Sequence, residues 1–412
     1  MHGARTRRTA YDVRYHAPGE GEPEQLFLEQ TQVKYYAFLR ELDNKLGEFL
    51  CSFCSLCYRK KTPGPVPARP KVLIVKFWGM GSILLSSPAI ALIKEHYQPS
   101  ELIILTLEQN RDFCQSLGIF TKVLSCRLSP LPVFVMQLLK NVLYLRRLKI
   151  DLLFDFEFFT HFSALTTFFI KAKMNIGFYA RENRRGNFYH VHVPFNSYWH
   201  ITDTYLNFVK KVIPDAGSSS FIVPEHDPDI LNKLRLNEKR YIVVNPNSEP
   251  IALERRWPKE NFIALIWSIQ SASKAPVVLI GSKREAPYNE EIARQSLRPE
   301  GIINLGGKTN IRELTSVIGS AAFFISNDSG PLHLACALSV PTVSFFGFET
   351  PVIYGPKGSE HIKFFKNIDC SPCMNVHHAK TVNCVRGKAE CLLHITPEEV
   401  WTAIEPMVKI IS

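Results

Sequence analysis

A chain of 412 residues is too long for one compact core, and its 46% hydrophobic and 21% charged residues suit a folded protein, so two domains plus additions are expected. The formal net charge of +11 calls for an acidic partner, whether a nucleotide, a nucleic acid or an anionic membrane surface. No run approaches the roughly 20 apolar residues of a membrane helix, since Phe158 to Ile170 is short and broken by His161, which argues against a spanning protein.

The chain opens with an extension, residues 1–70. Met1 to Gln25 is polar and expected to be disordered; it carries Arg5, Arg7 and Arg8 but no apolar core after them, so it is no signal peptide and the protein should be cytoplasmic. Leucines and tyrosines at helical spacing from Leu26 to Tyr58 predict one amphipathic helix. Its tail sets Cys51, Cys54 and Cys57 beside Arg59, Lys60 and Lys61, a pattern that reads as packing rather than a metal site, since the triplet lacks a fourth ligand, with a membrane-surface contact as a further alternative. Thr62 to Pro70, with prolines at 63, 65, 67 and 70, marks a boundary.

From Lys71 the pattern changes to short apolar strands alternating with helices, which means parallel sheets. The series VLIVKF, ELIILTL and DLLFDF is interrupted by an aromatic, polar stretch between Gly177 and Asp229, then resumes with YIVV, PVVLIG, IINL and FFIS. Two Rossmann-like domains, 71–225 and 226–412, are therefore expected, with a ligand between them at the carboxyl ends of the strands. Pro132 to Ile150 reads as an amphipathic helix with Lys140, Arg146, Arg147 and Lys149 near one face; a second basic cluster is Arg181, Arg184 and Arg185. Either is a solvated face or a contact for anionic headgroups or an acidic acceptor. Thr396, Pro397 and Glu399 open a last helix.

Each half carries a strand that empties into a glycine turn opening a helix. In the first, Gly79, Met80, Gly81 and Ser82 follow VLIVKFW; the third glycine of a dinucleotide fingerprint is replaced by Leu84. In the second, Phe323 to Gly347 passes through Asp328, Ser329, Gly330 and Pro331 into a helix bearing His333. Unpaired backbone N–H groups and the positive helix end suit an anion, usually phosphate, with His333 an added donor. Near the end, Cys370, Cys373, Cys384 and Cys391 supply four thiols in a polar loop, 370–391, the first pair at zinc-knuckle spacing. A structural zinc is expected there, with reduced thiols or two disulfides as alternatives.

Lys71 to Ala91, the DSGPLHLACALSVPTVSFFG segment, the run Arg255, Arg256, Trp257, Pro258 and the stretch Cys370 to Pro397 together resemble glycosyltransferase family 9, the heptosyltransferase-like enzymes. The resemblance covers essentially Lys71 to the C-terminus. It implies an α/β fold of GT-B type, with two parallel sheets facing a central cleft. It also implies a nucleotide-diphosphate sugar held mainly by the second half and inverting transfer without a catalytic metal. The acceptor would be the lipopolysaccharide core or another surface glycan, reached from the cytoplasm at the inner face of the membrane. Ser329, Gly330 and His333 match the family's diphosphate-binding turn, Asp328 its first residue, and Arg255 stands where the family has a donor-binding lysine. His200 and Asp203 match a stretch beside the acceptor cleft, and Arg181 is assigned to that side. The family's proposed base, an aspartate directly after the second glycine, is Ser82 here.

A serine cannot usefully accept a proton unaided, so Glu157, oriented by Asp155 two residues earlier on DLLFDF, is expected to act as the base. Two rivals remain: a non-catalytic binder of nucleotide sugars, favoured by Ser82, and a nicotinamide-dependent oxidoreductase, for which only Glu108 offers the required acid after strand two. No nucleic-acid-binding module is recognisable.

Overall fold

The runs Val72–Val75 and Phe323–Phe324 are apolar on both sides of the pleat, the pattern of strands covered by helices on both faces. In the computed structural model, which describes residues 35, 38–58, 62–179, 185–248, 253, 255–373, 384 and 386–411, those runs sit inside two wholly parallel six-stranded sheets. The first comprises β1 (Lys71–Val75), β2 (Glu101–Leu107), β3 (Lys122–Cys126), β4 (Leu152–Asp155), β5 (Met174–Tyr179) and β6 (Val191–Pro194). The second comprises β7 (Ile242–Asn245), β8 (Val277–Leu279), β9 (Ile302–Asn304), β10 (Phe323–Asn327), β11 (Thr342–Phe346) and β12 (His361–Phe365).

The strand orders are 3-2-1-4-5-6 and 12-11-10-7-8-9. Counted from its own first strand, the second order is the first one read from the other edge. Both halves are therefore Rossmann-like, and each order reverses once, between β1 and β4 and between β7 and β10. A crevice opens beyond the carboxyl ends of strands at such a reversal.

The helices that build the crevice and its supports are α1 (Glu48–Cys57), α2 (Met80–Tyr97), α3 (Leu131–Leu148), α4 (His161–Ile170), α5 (Ile201–Lys210), α6 (Lys259–Ala272), α7 (Gly330–Ala337) and α8 (Pro397–Ile410). One apolar cluster runs without a break from Ile83 and Leu84 of α2 to Leu332 and Ala335 of α7, so the two halves share a core. A second cluster packs α6 and α8 on the far face of the second sheet around Trp257 and Phe345. The predicted gap between Gly177 and Asp229 is instead structured: it holds β6, whose alternating burial is an edge-strand pattern, and α5.

The extension is built into the first half. The single helix expected over Leu26 to Tyr58 is, among the described residues, helical to Cys57 with a π turn at Asp43–Gly47. The Asp43 carboxylate accepts the backbone N–H groups of His161 at 2.9 Å and Phe162 at 2.8 Å, capping α4 across more than a hundred residues of sequence. A β-carbon at Gly47 would fall 2.5 Å from Cβ of His161, so only glycine lets the two helices meet. Cys51 and Cys54 are buried with Ala164, Phe188 and Tyr189, as packing residues. Leu26 and the residues to 34, and likewise Arg59 to Lys61, lie outside the described residues.

Replacing Asp43 by Ala should remove this cap and lower stability by about 1 kcal/mol, with about 2 as the upper end for a cap. Chemical denaturation reads the loss, and proteolysis in the 62–70 linker should quicken in parallel. An unchanged midpoint and unchanged cleavage would show that the cap does not hold the extension.

Candidate functional site

The two glycine turns meet. A β-carbon at Gly81 would fall 2.6 Å from the His333 ring and 3.1 Å from Cα of Gly330; one at Gly330 would touch Met80 at 3.0 Å. Gly79 adopts φ +72°, a conformation open to glycine, to turn the chain from β1 into α2. Neither α2 nor α7 has a side chain capping its first turn. Their positive ends therefore point into one shared cavity of about 920 Å³, lined by Gly79, Gly81, Ser82, Asp328, Ser329 and Gly330 among others.

The second-half wall is held by hydrogen bonds from neighbouring strand ends. Asn245, closing β7, donates to Ser329 Oγ at 3.0 Å, and Ser326 Oγ lies 2.9 Å from the same hydroxyl. Arg255 also lines the cavity, with its guanidinium 3.6 Å from Asp328 and 4.9 Å from the centre of the Phe348 ring. Arg255 and Arg256 are not a solvated face: each side chain is only 16% exposed. Trp257 fixes this run by stacking on Phe345 and donating its indole N–H to the Ile395 carbonyl at 2.8 Å. Asp328 offers negative charge where an anion is expected, and its pairing with Arg255 both offsets that charge and aims the arginine.

The first-half wall centres on Glu157, which lines the cavity although its side chain is fully buried from bulk solvent. Its Oε1 accepts from Lys76 Nζ at 3.0 Å and from the backbone N–H groups of Phe77 at 2.6 Å and Trp78 at 3.0 Å. Its Oε2 has no hydrogen-bond partner among the described residues. Burial works against a charged Lys76, but the Glu157 carboxylate and the Tyr205 hydroxyl outweigh it and hold the ammonium above its ordinary range. Tyr205 also stands 3.3 Å from Ser82 Oγ, so Ser82, Tyr205, Lys76 and Glu157 form one polar network.

Asp155 is placed behind this wall. Its Oδ1 accepts the Glu157 backbone N–H at 3.0 Å, and its Oδ2 accepts from Arg185 at 3.0 Å, Tyr189 at 2.6 Å and Ser163 at 3.1 Å. With both oxygens engaged inside a buried cluster, it positions Glu157 and does not face the cavity. Arg185, expected on a basic surface, is the counter-ion of that cluster and fully buried; Arg181 and Arg184 lie outside the described residues.

His200 is likewise relocated. Its Nδ1 accepts the Thr202 N–H at 3.3 Å as the cap of α5, and its Nε2 meets the Gly355 carbonyl at 3.0 Å, while Asp203 pairs with Lys357 at 2.8 Å. These residues stitch the two halves together and do not line the cavity, where the acceptor-side expectation had put them. Glu108, the acid a nicotinamide cofactor would need, is engaged by Ser125 and by Arg111 at 3.3 Å and is also outside the cavity.

The four loop cysteines are near enough to influence one another: burial first, then Cys391, Cys384 and Cys370, push the Cys373 thiol up to about 11. Among the described residues, however, no group of three or more His, Cys, Asp or Glu side chains is gathered closely enough to hold a metal ion. Sequence reasoning passed over Lys76, Asn245 and Tyr205. Lys76 had one signal, a lysine directly after an otherwise buried strand; Asn245 becomes visible only when the strand order brings it to the reversal, and Tyr205 only when α5 packs beside α2.

A family model, glycosyltransferase family 9 (heptosyltransferase), matches residues 146–382, more than half of the chain. Lipooligosaccharide heptosyltransferase 2 of Campylobacter jejuni serotype O:2 is 26% identical over 345 residues, covering 80% of this chain and 96% of that protein. The Haemophilus influenzae enzyme of the same name is 30% identical over 208 residues, so the chain spans 58% of that relative's length. Among solved structures, ADP-heptose lps heptosyltransferase II of Escherichia coli superposes with a TM-score of 0.64 at 18% identity, over 82% of this chain and 98% of that one. The fold is thus the GT-B-like fold of that structure.

Burial, followed by the charge of Lys357, lowers the His200 pKa from 6.5 to about 4. The unfolded chain then binds more protons than the folded one between those values, so stability should fall as pH drops from about 6.5 towards 4, by on the order of 2 kcal/mol after allowing for partial solvent screening. His200→Gln should flatten that slope, leaving the smaller one of His361, whose pKa burial also lowers. Denaturation midpoints at pH 7 and pH 5 give the comparison; equal slopes in both proteins would contradict the assignment.

Proposed function

The chain belongs to glycosyltransferase family 9, and from that premise we propose that it moves a heptose or related sugar from a nucleotide-diphosphate donor to a lipopolysaccharide core or another surface glycan. The observation that carries this reading is the facing pair of uncapped glycine turns, with Arg255 beside them, in one cavity shared by both halves. The heptosyltransferase 2 relatives act, by their names, on lipooligosaccharide, and the E. coli structure is described as an ADP-heptose enzyme. We place the reaction on the cytoplasmic side of the inner membrane; no helix among the described residues is long and apolar enough to cross a membrane.

In this proposal the donor's diphosphate lies at the N-terminus of α7, against the Gly330 N–H, Arg255 and His333. The sugar then points past Gly79 and Gly81 towards Glu157. Oε2 of Glu157 takes the proton of the acceptor hydroxyl as its oxygen bonds to the anomeric carbon. The bond from that carbon to the diphosphate breaks on the opposite side, which inverts the centre. Arg255 and the helix end stabilise the charge that gathers on the leaving diphosphate, the work a metal ion would otherwise do. Lys76 and the two N–H groups on Oε1 hold the carboxylate still, and Asp155 fixes the backbone from which it projects.

Ser82 favours the second reading, a nucleotide-sugar binder without turnover, and one variant pair separates the two. Glu157→Gln should cut kcat by about 10²–10⁴ with donor affinity largely kept. Adding Ser82→Asp should restore a measurable part of that rate, because it returns a carboxylate to the position where the family has one. A structural role for Glu157 alone would give no rescue, and a wild-type protein that binds donor without ever turning it over would leave only the binder. Nucleoside diphosphates should raise the melting point, by about 2.7 kcal/mol of stabilisation at a hundredfold excess over Kd.

For Cys370, Cys373, Cys384 and Cys391 we propose a structural zinc that draws the four thiols together and pins the loop without touching the chemistry. Four thiols in one polar loop, the first pair at zinc-knuckle spacing, support it. One equivalent of zinc per chain, with a lowered melting point after chelation, is expected; metal-free protein with the same melting point would end this proposal.

A further inference from the structure

The cavity that holds the two glycine turns does not end at them. It continues as an apolar arm between the extension and the first half, walled by Leu42 and Leu50 from the extension, Leu138 and Val142 from α3, and Phe162 and Leu165 from α4. Voids in a packed core are few and about the size of a water molecule, so a cavity of about 920 Å³ with this lining is no packing defect. At its mouth Leu46, Val135, Leu139 and Phe169 are each about half exposed while still lining the cavity.

Beyond the mouth the same two helical segments carry Phe49, Phe53, Met136 and Leu143, all more than half exposed. On α3, Val135, Met136, Leu139 and Leu143 line one shallow apolar concavity together with Lys140 and Arg147, and exposed apolar surface gathered in this way marks a contact with another apolar phase. The charge around it has one sign on α3: Lys140, Arg146 and Arg147 lie on this helix, Lys149 directly follows it, and it contains no acidic residue. An apolar face flanked by cations suits an anionic lipid surface. It suits a second copy of a chain with net charge +11 much less.

We propose that this arm seats the hydrocarbon chain of a lipid-linked acceptor, drawn from an anionic membrane on which the rim of Phe49, Phe53, Met136 and Leu143 rests. The inference rests on the glycosyltransferase reading and deepens it. Continuity of the arm with the site of Glu157 means that a lipid held by its tail presents its sugar hydroxyl to the base. The extension, which lies outside the resemblance seen in the sequence, then supplies one wall of acceptor recognition.

The full-length protein is titrated with n-alkyl glucosides from hexyl to dodecyl, following the change in tryptophan fluorescence; of the five tryptophans, Trp78 lines the cavity. Affinity should tighten about threefold or more for each added methylene. Leu46→Glu and Leu139→Glu, at exposed positions, should keep the wild-type circular dichroism but lose that chain-length dependence. They should also sediment at least tenfold less with vesicles of phosphatidylcholine and 30% phosphatidylglycerol. A diazirine-bearing dodecyl glucoside should label peptides within residues 39–50, 131–142 and 161–169. Affinity indifferent to chain length, or labelling confined to other segments, would overturn the proposal. So would a self-association that Leu139→Glu abolishes while alkyl binding persists, since the face would then be a dimer interface. Nucleoside diphosphate binding by the unmodified protein, measured alongside, keeps the two readings apart: its failure counts against the transferase, whereas its success with no chain-length effect counts against the lipid arm alone.

Discussion

Everything at the centre of this molecule depends on how closely Gly81 and Gly330 approach. Each follows a strand at the reversal of its own sheet and lies in the first turn of the helix after it, so their meeting sets the carboxyl ends of both sheets facing one space. A side chain at Gly81 would part the two turns, since the His333 ring stands 2.6 Å and Cα of Gly330 3.1 Å from where its β-carbon would be; at Gly330 the first contact is the flexible end of Met80, at 3.0 Å. The shared core between α2 and α7 then presses the turns together, and the bonds of His200 and Asp203 to the second half fix the angle from the rim. The glycines thus serve two ends, letting the halves close and leaving backbone open to a ligand.

Around that contact the protein buries charges that would be costly alone. Lys76 with Glu157 and Arg185 with Asp155 are ion pairs sealed from solvent, and removing one member of such a pair leaves an uncompensated charge worth about 3–5 kcal/mol of destabilisation. Apolar residues of the same shape would fold as well or better. Their arrangement has the logic of a supporting shell: Arg185 and Tyr189 hold Asp155, Asp155 holds the backbone of Glu157, and Lys76 holds one oxygen of this cavity-lining carboxylate, whose other oxygen has no hydrogen-bond partner among the described residues. A carboxylate so fixed needs little rearrangement when a proton arrives.

Much of this was legible in the sequence. Strands covered on both faces read as continuous apolar runs, and glycine turns leading into helices marked where each sheet opens. What escaped depended on distances that sequence does not carry. Nothing in HITDTYLNF says that His200 would meet the Gly355 carbonyl rather than a ligand, because the partner lies 155 residues away. Arg185 looked like surface because arginine usually is, yet its charge is needed inside by Asp155. Asp43 was invisible as a cap, since a cap is ordinarily sought one residue before its helix, and here it comes from a separate segment while Thr160 leaves its side chain out of the bond.

That remote cap changes how the extension should be understood. Had residues 38–57 merely lain against the domain, their contacts would be interchangeable apolar ones, tolerant of slippage along the helix. Asp43 fixes the register by bonding two specific amides, Gly47 fixes the depth by admitting the His161 side chain, and the π turn between them lets both face α4 at once. With register and depth set, Leu42 and Leu50 are held on the cavity side and Phe49 and Phe53 on the outside. The apolar wall is therefore specified as tightly as the polar one, in each case by a carboxylate that accepts backbone N–H groups. The cavity acquires two chemically opposite ends whose separation is set by the fold, a geometry that suits a substrate polar at one end and apolar at the other.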